Sequence, residues 1–122
     1  MFDKKIVLST LTQLINSCNL ISERFVGIES SDDFLNSRSG LIILDSICMQ
    51  LVAIGQGIKN LDKNTEGKLL IKYPDVDWKG AMGMRDIMSH NYFDVDSEIV
   101  FDVCKTKIIP LKNTLESILS AL

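Results

Sequence analysis

A short stretch in the second half of the chain carries the residue types best suited to chemistry. Arg85, His90 (the only histidine) and Tyr92 follow one another within it. A guanidinium can hold two phosphate oxygens at once, and an imidazole can transfer a proton near neutral pH. A phenol adds a hydroxyl that can bind or be modified. Together these side chains predict a site that handles a phosphodiester.

The chemistry of RNA cleavage suggests how such residues would work. Without a metal, it needs a base for the 2′-hydroxyl proton, an acid for the leaving 5′-oxygen, and cationic donors for the phosphorane. One imidazole cannot be base and acid at once, whereas a symmetric dimer supplies two. We therefore predict His90 as general base or acid and Arg85 as the transition-state clamp, with Asp86, Asn91 and Tyr92 as orienting or auxiliary groups. The expected product end is a 2′,3′-cyclic phosphate, which restricts the substrate to RNA.

No His, Cys or carboxylate cluster has metal-ligand spacing, so we expect neither a metal nor another cofactor. Each candidate also has an ordinary structural interpretation. A histidine at a helix end can be a cap, and Arg85 can form a surface ion pair worth ~1 kcal/mol or less. Trp78 can be a packing anchor, and the nearby methionines can form a flexible apolar surface.

The elements that must position these residues are helices. Apolar residues recur at steps of three and four, and strand-like alternation is absent. The predicted helices span about 3–25, 34–61, 78–89 and 97–122. A break near Ser39 and Gly40 would split off a further short helix, and Pro110 is expected to kink the last helix without ending it. The fold class is all-α, an antiparallel four- to five-helix bundle forming one domain over 1–122.

The helix that carries Arg85 should end just before His90. Residues five apart on an α-helix point ~140° away from each other, so a continuous helix would keep the two side chains on different faces. We expect an end near Ser89 that lets His90 turn back toward Arg85. Asn91 favours this end, because asparagine is common in the left-handed position just past a helix C-terminus.

Composition limits the possible partners and compartments. A net charge of −3 argues against general nucleic-acid affinity, but basic residues precede the motif and acidic ones follow it. Any RNA binding would therefore use a local basic cleft and not a basic surface, whereas the alternative for most of the lysines is that they only solvate a helix end. The basic residues are Lys59, Lys63, Lys68, Lys72, Lys79 and Arg85. Cys18, Cys48 and Cys104 fit reduced core thiols of a cytoplasmic protein. No apolar run reaches the ~18 residues of a membrane span, and no secretion signal is visible.

Several motifs together resemble one known family. The Arg-x4-His-x-Tyr motif at 85–92 follows a Pro-x-x-x-Trp segment at 74–78 and runs into Tyr-Phe-x-Val-Asp at 92–96. With the Ile-Gly-Gln-Gly segment at 54–57 and a closing helix interrupted by proline, it resembles the HepT-like branch of the HEPN superfamily. The resemblance covers nearly the whole chain.

The resemblance implies a metal-independent ribonuclease toxin that works as a homodimer, with the motifs of both chains meeting in a cleft at the dyad. A small nucleotidyltransferase antitoxin is implied as the partner that silences it by AMPylation. Carried over, the catalytic residues are Arg85 and His90, and the modified residue is Tyr92. Two positions depart from the family's usual pattern: Asp86 stands where asparagine is common, and Asn91 stands where glycine is frequent.

A different kind of function also fits the sequence. Related helical bundles serve as non-catalytic substrate-binding or docking subunits of minimal nucleotidyltransferases, and a net charge of −3 is compatible with that role. A family member that keeps the dimer but has lost cleavage is a further alternative, with Asp86 as the residue responsible. These alternatives differ in whether Arg85 and His90 are needed for toxicity.

Overall fold

Five α-helices make up most of the chain, and a computed structural model gives their bounds. It describes residues 2–90 and 95–122, without the side chains of Ile87, Ser89 and His90. The helices are α1 (Lys4–Phe25), α2 (Arg38–Asn64), α3 (Trp78–His90), α4 (Ser97–Thr106) and α5 (Ile108–Ala121), and short 3-10 turns lie at Ser31–Phe34 and Leu70–Lys72. No strand occurs within the described ranges. The predicted all-α, HEPN-type bundle is confirmed.

The first helix begins where Asp3 caps it. The Lys5 N–H donates to Oδ1 of Asp3 at 3.0 Å, which satisfies one of the unpaired donors of the first turn. The helix then buries one stripe of residues at steps of three and four: Val7, Leu11, Leu14, Cys18 and Ile21. This side of α1 packs against α2 and α5. The helix predicted over 3–25 therefore forms as expected.

The second helix begins later than predicted. Ser30 and Asp33 form a capping box around the first 3-10 turn, and α2 starts only after Ser37, whose Oγ accepts the Gly40 N–H at 3.0 Å. The break that we expected near Ser39 and Gly40 thus falls just before Arg38. Gly40 lies inside α2. Only glycine fits at this position, because a Cβ there would collide with the Asp33 carbonyl oxygen. The short split-off element is this 3-10 turn.

The long α2 is the central helix of the bundle. It buries nine residues and packs against both α1 and α3. By length and composition alone it is also apolar enough to cross a membrane, whereas the sequence analysis found no run that long. Asp45, Ser46 and Gln50 interrupt its apolar residues. The helix is therefore long and apolar enough on average, although it contains no uninterrupted apolar run of that length. The expectation that the protein has no membrane partner stays a prediction.

Pro110 divides the last predicted helix in two. α4 ends at Thr106 and α5 begins at Ile108, with Lys107 between them at φ −116° and ψ −27°. Proline has no N–H to offer the carbonyl of Thr106, four residues earlier. Hydrogen bonds nevertheless continue on both sides, from Lys107 N to Val103 O at 3.0 Å and from Leu111 N to Lys107 O at 3.1 Å. The interruption is confined to one residue, but it is a division and not the predicted kink.

The three cysteines are free and buried, as predicted. Burial raises the pKa of Cys18 to about 12, of Cys48 to about 11 and of Cys104 to about 12. A thiol that stays protonated is a poor nucleophile and a poor metal ligand. These side chains therefore belong to the core.

The buried thiols predict a loss of stability at alkaline pH. Their folded pKa values lie above the ordinary 9.0, so the unfolded chain releases these protons first. Their contribution is fully present below pH 9.0 and is lost as pH rises through the folded pKa values. Between pH 9.0 and the folded pKa values we expect the free energy of unfolding to fall by at most about 1.4 kcal/mol per pH unit for each thiol. Urea unfolding of the parent and of Cys18→Ala across this range measures it; equal slopes for the two proteins would contradict the assignment.

Candidate active site

The start of α3, the helix that carries Arg85, is held by two side-chain hydrogen bonds. The Gly80 N–H donates to Oδ1 of Asp77 at 3.0 Å, so Asp77 caps the first turn of α3. The indole N–H of Trp78 donates to the carbonyl oxygen of Tyr73 at 2.8 Å. The second bond ties the helix to the turn that precedes it. Both bonds fix the position from which α3 runs toward Arg85.

Gly55 brings the backbones of α2 and α3 together beside Arg85. A Cβ built on Gly55 would lie 2.8 Å from the Arg85 backbone nitrogen, 3.0 Å from the Arg85 Cβ and 3.1 Å from the Ala81 carbonyl oxygen. Real Cβ atoms do not approach backbone atoms this closely, so only glycine permits this crossing. On the other side of α2, a Cβ on Gly57 would lie 2.7 Å from Cδ2 of Leu14. The segment 54–57 is therefore where α2 meets both neighbours.

Arg85 lines an open cleft of about 440 Å³ between α2 and α3. The cleft carries three cations and several polar groups; its lining is Gln56, Lys59, Asn60, Asp62, Lys63, Met82 and Arg85. The side-chain amide nitrogen of Gln56 donates to Oδ1 of Asn60 at 2.8 Å. Asp62 is the only carboxylate among these residues. Guanidinium, ammonium and amide groups side by side suit phosphate oxygens.

The cleft corresponds in part to the basic cleft predicted from sequence. It brings Lys59 and Lys63 to Arg85, as expected, but does not include Lys68, which pairs with Glu66 at 3.3 Å on the exposed surface. Sequence analysis missed Gln56 and Asn60 as site residues. The signal was present, because residues 56, 59 or 60, and 63 follow the three- and four-residue steps of one helix face.

Arg85 forms an ion pair with its neighbour. Its Nη1 lies 3.3 Å from Oδ1 of Asp86, and the two side chains are 42% and 54% exposed. A pair this exposed contributes ~1 kcal/mol or less, since water competes for both charges. The surface ion pair considered in the sequence analysis therefore exists. It is weak enough for a phosphate to replace the carboxylate on the guanidinium.

His90 is the last residue of α3, one position beyond the predicted end. The backbone positions of 85 and 90 therefore both lie on the helix, ~140° apart around its axis. The predicted turn of His90 toward Arg85 involves a side chain outside the described structure. Asn91 and Tyr92 also lie outside the described residues. Their predicted roles remain predictions.

The described residues offer no obvious place for a metal. Across 2–90 and 95–122, no group of three His, Cys, Asp or Glu side chains is arranged to hold an ion.

Comparison with known proteins identifies the family. The sequence profile described as "Ribonuclease HepT-like" matches residues 14–118. A protein of Methanocaldococcus jannaschii, named "Gamma-glutamylcyclotransferase and putative RNase", is 31% identical over 112 residues, covering 92% of this chain and 47% of that protein. A protein of Caldanaerobacter subterraneus subsp. tengcongensis, named "Putative RNase", is 30% identical over 109 residues, covering 89% of this chain and 90% of that protein. No solved structure matches the chain at a comparable level.

The chain thus spans about half the length of the first relative and most of the second. The five helices of the described residues form an all-α bundle of the HEPN type. The chain belongs to the ribonuclease HepT-like family. The family resemblance stated from the motif is confirmed.

Proposed function

We propose that this protein is a metal-independent endoribonuclease that uses Arg85 and His90. The observation that carries the proposal is the position of Arg85 in a cleft with Lys59 and Lys63. Three cations can bind an RNA phosphate and neutralise the negative charge that it shares with the neighbouring phosphates. The family assignment and the names of the relatives support the same class of activity.

The proposed reaction is an internal transesterification. His90 removes the proton of a 2′-hydroxyl, and the 2′-oxygen attacks the adjacent phosphorus. Arg85 hydrogen-bonds the oxygens of the phosphorane, on which negative charge develops. The bond to the 5′-oxygen then breaks as that oxygen takes a proton from a second histidine side chain in its imidazolium form. The products are a 2′,3′-cyclic phosphate and a 5′-hydroxyl. Asp86 and Asn91 act as orienting or auxiliary groups.

The second imidazole comes from a second copy of the chain. The surface of α2 supports such a homodimer, because Ile42 and Met49 are 62% and 65% exposed and lie seven residues apart on one face. Gln56 of the cleft continues the same spacing along α2. A partner that covered this apolar stripe would therefore lie next to the cleft. Two cationic clefts and two motifs would then face one substrate.

Control by a cognate minimal nucleotidyltransferase antitoxin is part of the same proposal. The His90-Asn91-Tyr92 spacing supports Tyr92 as the residue that receives AMP, since it places a phenol two positions from the proposed catalytic imidazole. An adenylate on Tyr92 would add bulk and negative charge two positions along the chain from His90. Modification would then block cleavage by exclusion and by charge repulsion.

Growth after induction of the chain alone tests the proposal. We expect the parent to arrest growth and to leave RNA fragments with cyclic-phosphate ends, because cleavage needs only this chain and its copy. His90→Ala is expected to abolish both effects while still forming a dimer, since a lost proton-transfer group costs about 10²–10⁴-fold. Mapping of RNA ends in each culture is the measurement.

Arg38→Ala is the matched control, because Arg38 is exposed at the opposite end of α2 from the cleft. It is expected to be as toxic as the parent. If parent, His90→Ala and Arg38→Ala all leave growth and RNA unchanged, the chain is not a nuclease. The docking subunit of a minimal nucleotidyltransferase is then the better description.

A further inference from the structure

A second depression of about 460 Å³ lies next to the cationic cleft. The second 3-10 turn and the first turns of α3 form its walls, which we call the apolar groove. Its apolar lining residues are Leu70, Ile71, Pro74, Trp78 and Met82. Leu70 is buried and holds the turn in the core, whereas Ile71 beside it is 77% exposed. The groove is thus a built depression that keeps a large apolar side chain open to solvent.

The Trp78 ring is fixed within this groove. Its N–H is already bonded to the carbonyl oxygen of Tyr73 at 2.8 Å, so the indole's polar atom needs no other partner. The ring is half-buried, and part of it remains accessible. An aromatic ring held at its polar edge offers a preformed apolar surface, because little side-chain freedom is lost when a ligand packs on it.

The groove and the cationic cleft are adjacent. Asp62 and Met82 line both, so a ligand that fills the cleft has only these two side chains to pass before it reaches the groove. Lys79 also lines the groove and adds a cation on its side. We propose that the apolar groove binds an unpaired nucleobase of the RNA whose phosphates occupy the cationic cleft. This inference rests on the proposed ribonuclease function and specifies its substrate as RNA with an exposed base.

The carboxylate of Asp62 is the reason that the bound base is expected to be unpaired. Its carboxylate repels phosphate but accepts hydrogen bonds, so it favours the N–H groups on the pairing edge of a base over the backbone. In a duplex those N–H groups are already used, and the base faces are stacked on their neighbours. Packing on Trp78, Ile71 and Met82 would replace that stacking for a base in a loop or a single strand.

The test is the binding of a labelled single-stranded RNA of about ten nucleotides, made with 2′-O-methyl groups so that it cannot be cleaved. Versions carrying one abasic nucleotide are compared at each position in turn. We expect one position where loss of the base weakens binding about tenfold. Ile71→Ser should weaken binding of the intact RNA by about the same factor and should remove the effect of the abasic position.

Val26→Ser is the control, since Val26 is 79% exposed at the end of α1 and lies outside the groove. It should bind both RNAs as the parent does. If Ile71→Ser binds as the parent does, or weakens intact and abasic RNA equally, the nucleobase site is wrong. If Ile71→Ser disrupts only a complex with a nucleotidyltransferase, the groove is a protein-docking site instead.

Cleavage of unmodified RNA separates this inference from the function on which it rests. His90-dependent cleavage with no effect of Ile71→Ser on binding would overturn the groove and leave the nuclease standing. A parent protein that neither binds nor cleaves RNA would overturn both.

Discussion

Arg85→Ala is expected to lower the rate of RNA cleavage about 10²–10³-fold, the usual cost of removing one donor to the transition-state charge. The side chain is 42% exposed and its ion pair with Asp86 is weak. Stability should therefore change by about 1 kcal/mol or less. Single-turnover cleavage of a labelled RNA, together with urea unfolding, measures both quantities on the same protein.

Arg85→Lys separates charge from geometry at this position. A lysine keeps the positive charge but cannot hold two phosphate oxygens with a planar fork. We expect its cleavage rate to lie between those of the parent and Arg85→Ala. Cleavage by Arg85→Ala at the parent's rate would show that Arg85 lines the cleft without taking part in the reaction. Arg38→Ala serves again as the exposed-arginine control.

Gly55→Ala is expected to displace Arg85 by pushing α3 away from α2. The added methyl group would lie 2.8 Å from the backbone nitrogen of Arg85, and backbone atoms cannot move aside as a flexible side chain can. α3 must shift away from α2, which should cost about 1–3 kcal/mol of stability. A displacement of about 1 Å at a catalytic group can cost about 10²-fold in rate. Cleavage measured at a temperature where the variant is fully folded isolates the second effect.

Two other glycines provide matched controls for Gly55→Ala. In Gly57→Ala the methyl group would meet the end of the Leu14 side chain at 2.7 Å, on the α1 side of α2. That variant should lose stability while keeping its cleavage rate. Gly83→Ala on α3 meets nothing within 4 Å and should gain about 0.5–1 kcal/mol from its helix position. Full activity of folded Gly55→Ala would show that this crossing does not position Arg85.

Much of the fold could be predicted because each helix carries its own local signals. The Asp3 and Asp77 caps, and the buried stripe of α1, act within a few residues of one another, so periodicity and capping rules suffice. The bounds of α2 and α4 were harder. The start of α2 depends on the contact between Gly40 and the Asp33 carbonyl, and the sequence does not display contacts between elements.

In the site, too, local features could be predicted from the sequence, whereas contacts between helices could not. The chemistry of Arg85 follows from its residue type. Lys59 and Lys63 precede it along the chain, so a basic cleft could be considered from the sequence. That Gln56 and Asn60 share the cleft depends on the rotation of α2 against α3, which Gly55 fixes through packing. Residue types thus predict the charge of the site, whereas the helix crossing determines which polar neighbours complete it.

The order in which the helices pack has a consequence for folding. α2 and α3 are consecutive α-helices joined by the segment 65–77, whereas α5 packs on α1 from the far end of the described sequence. Closing the longer loop costs more chain entropy and is the slower event. A newly synthesised chain is therefore expected to assemble its cationic cleft before its last helix docks on its first. In the interval between these two events, a nascent chain would already hold the cations of the cleft together on an incomplete core.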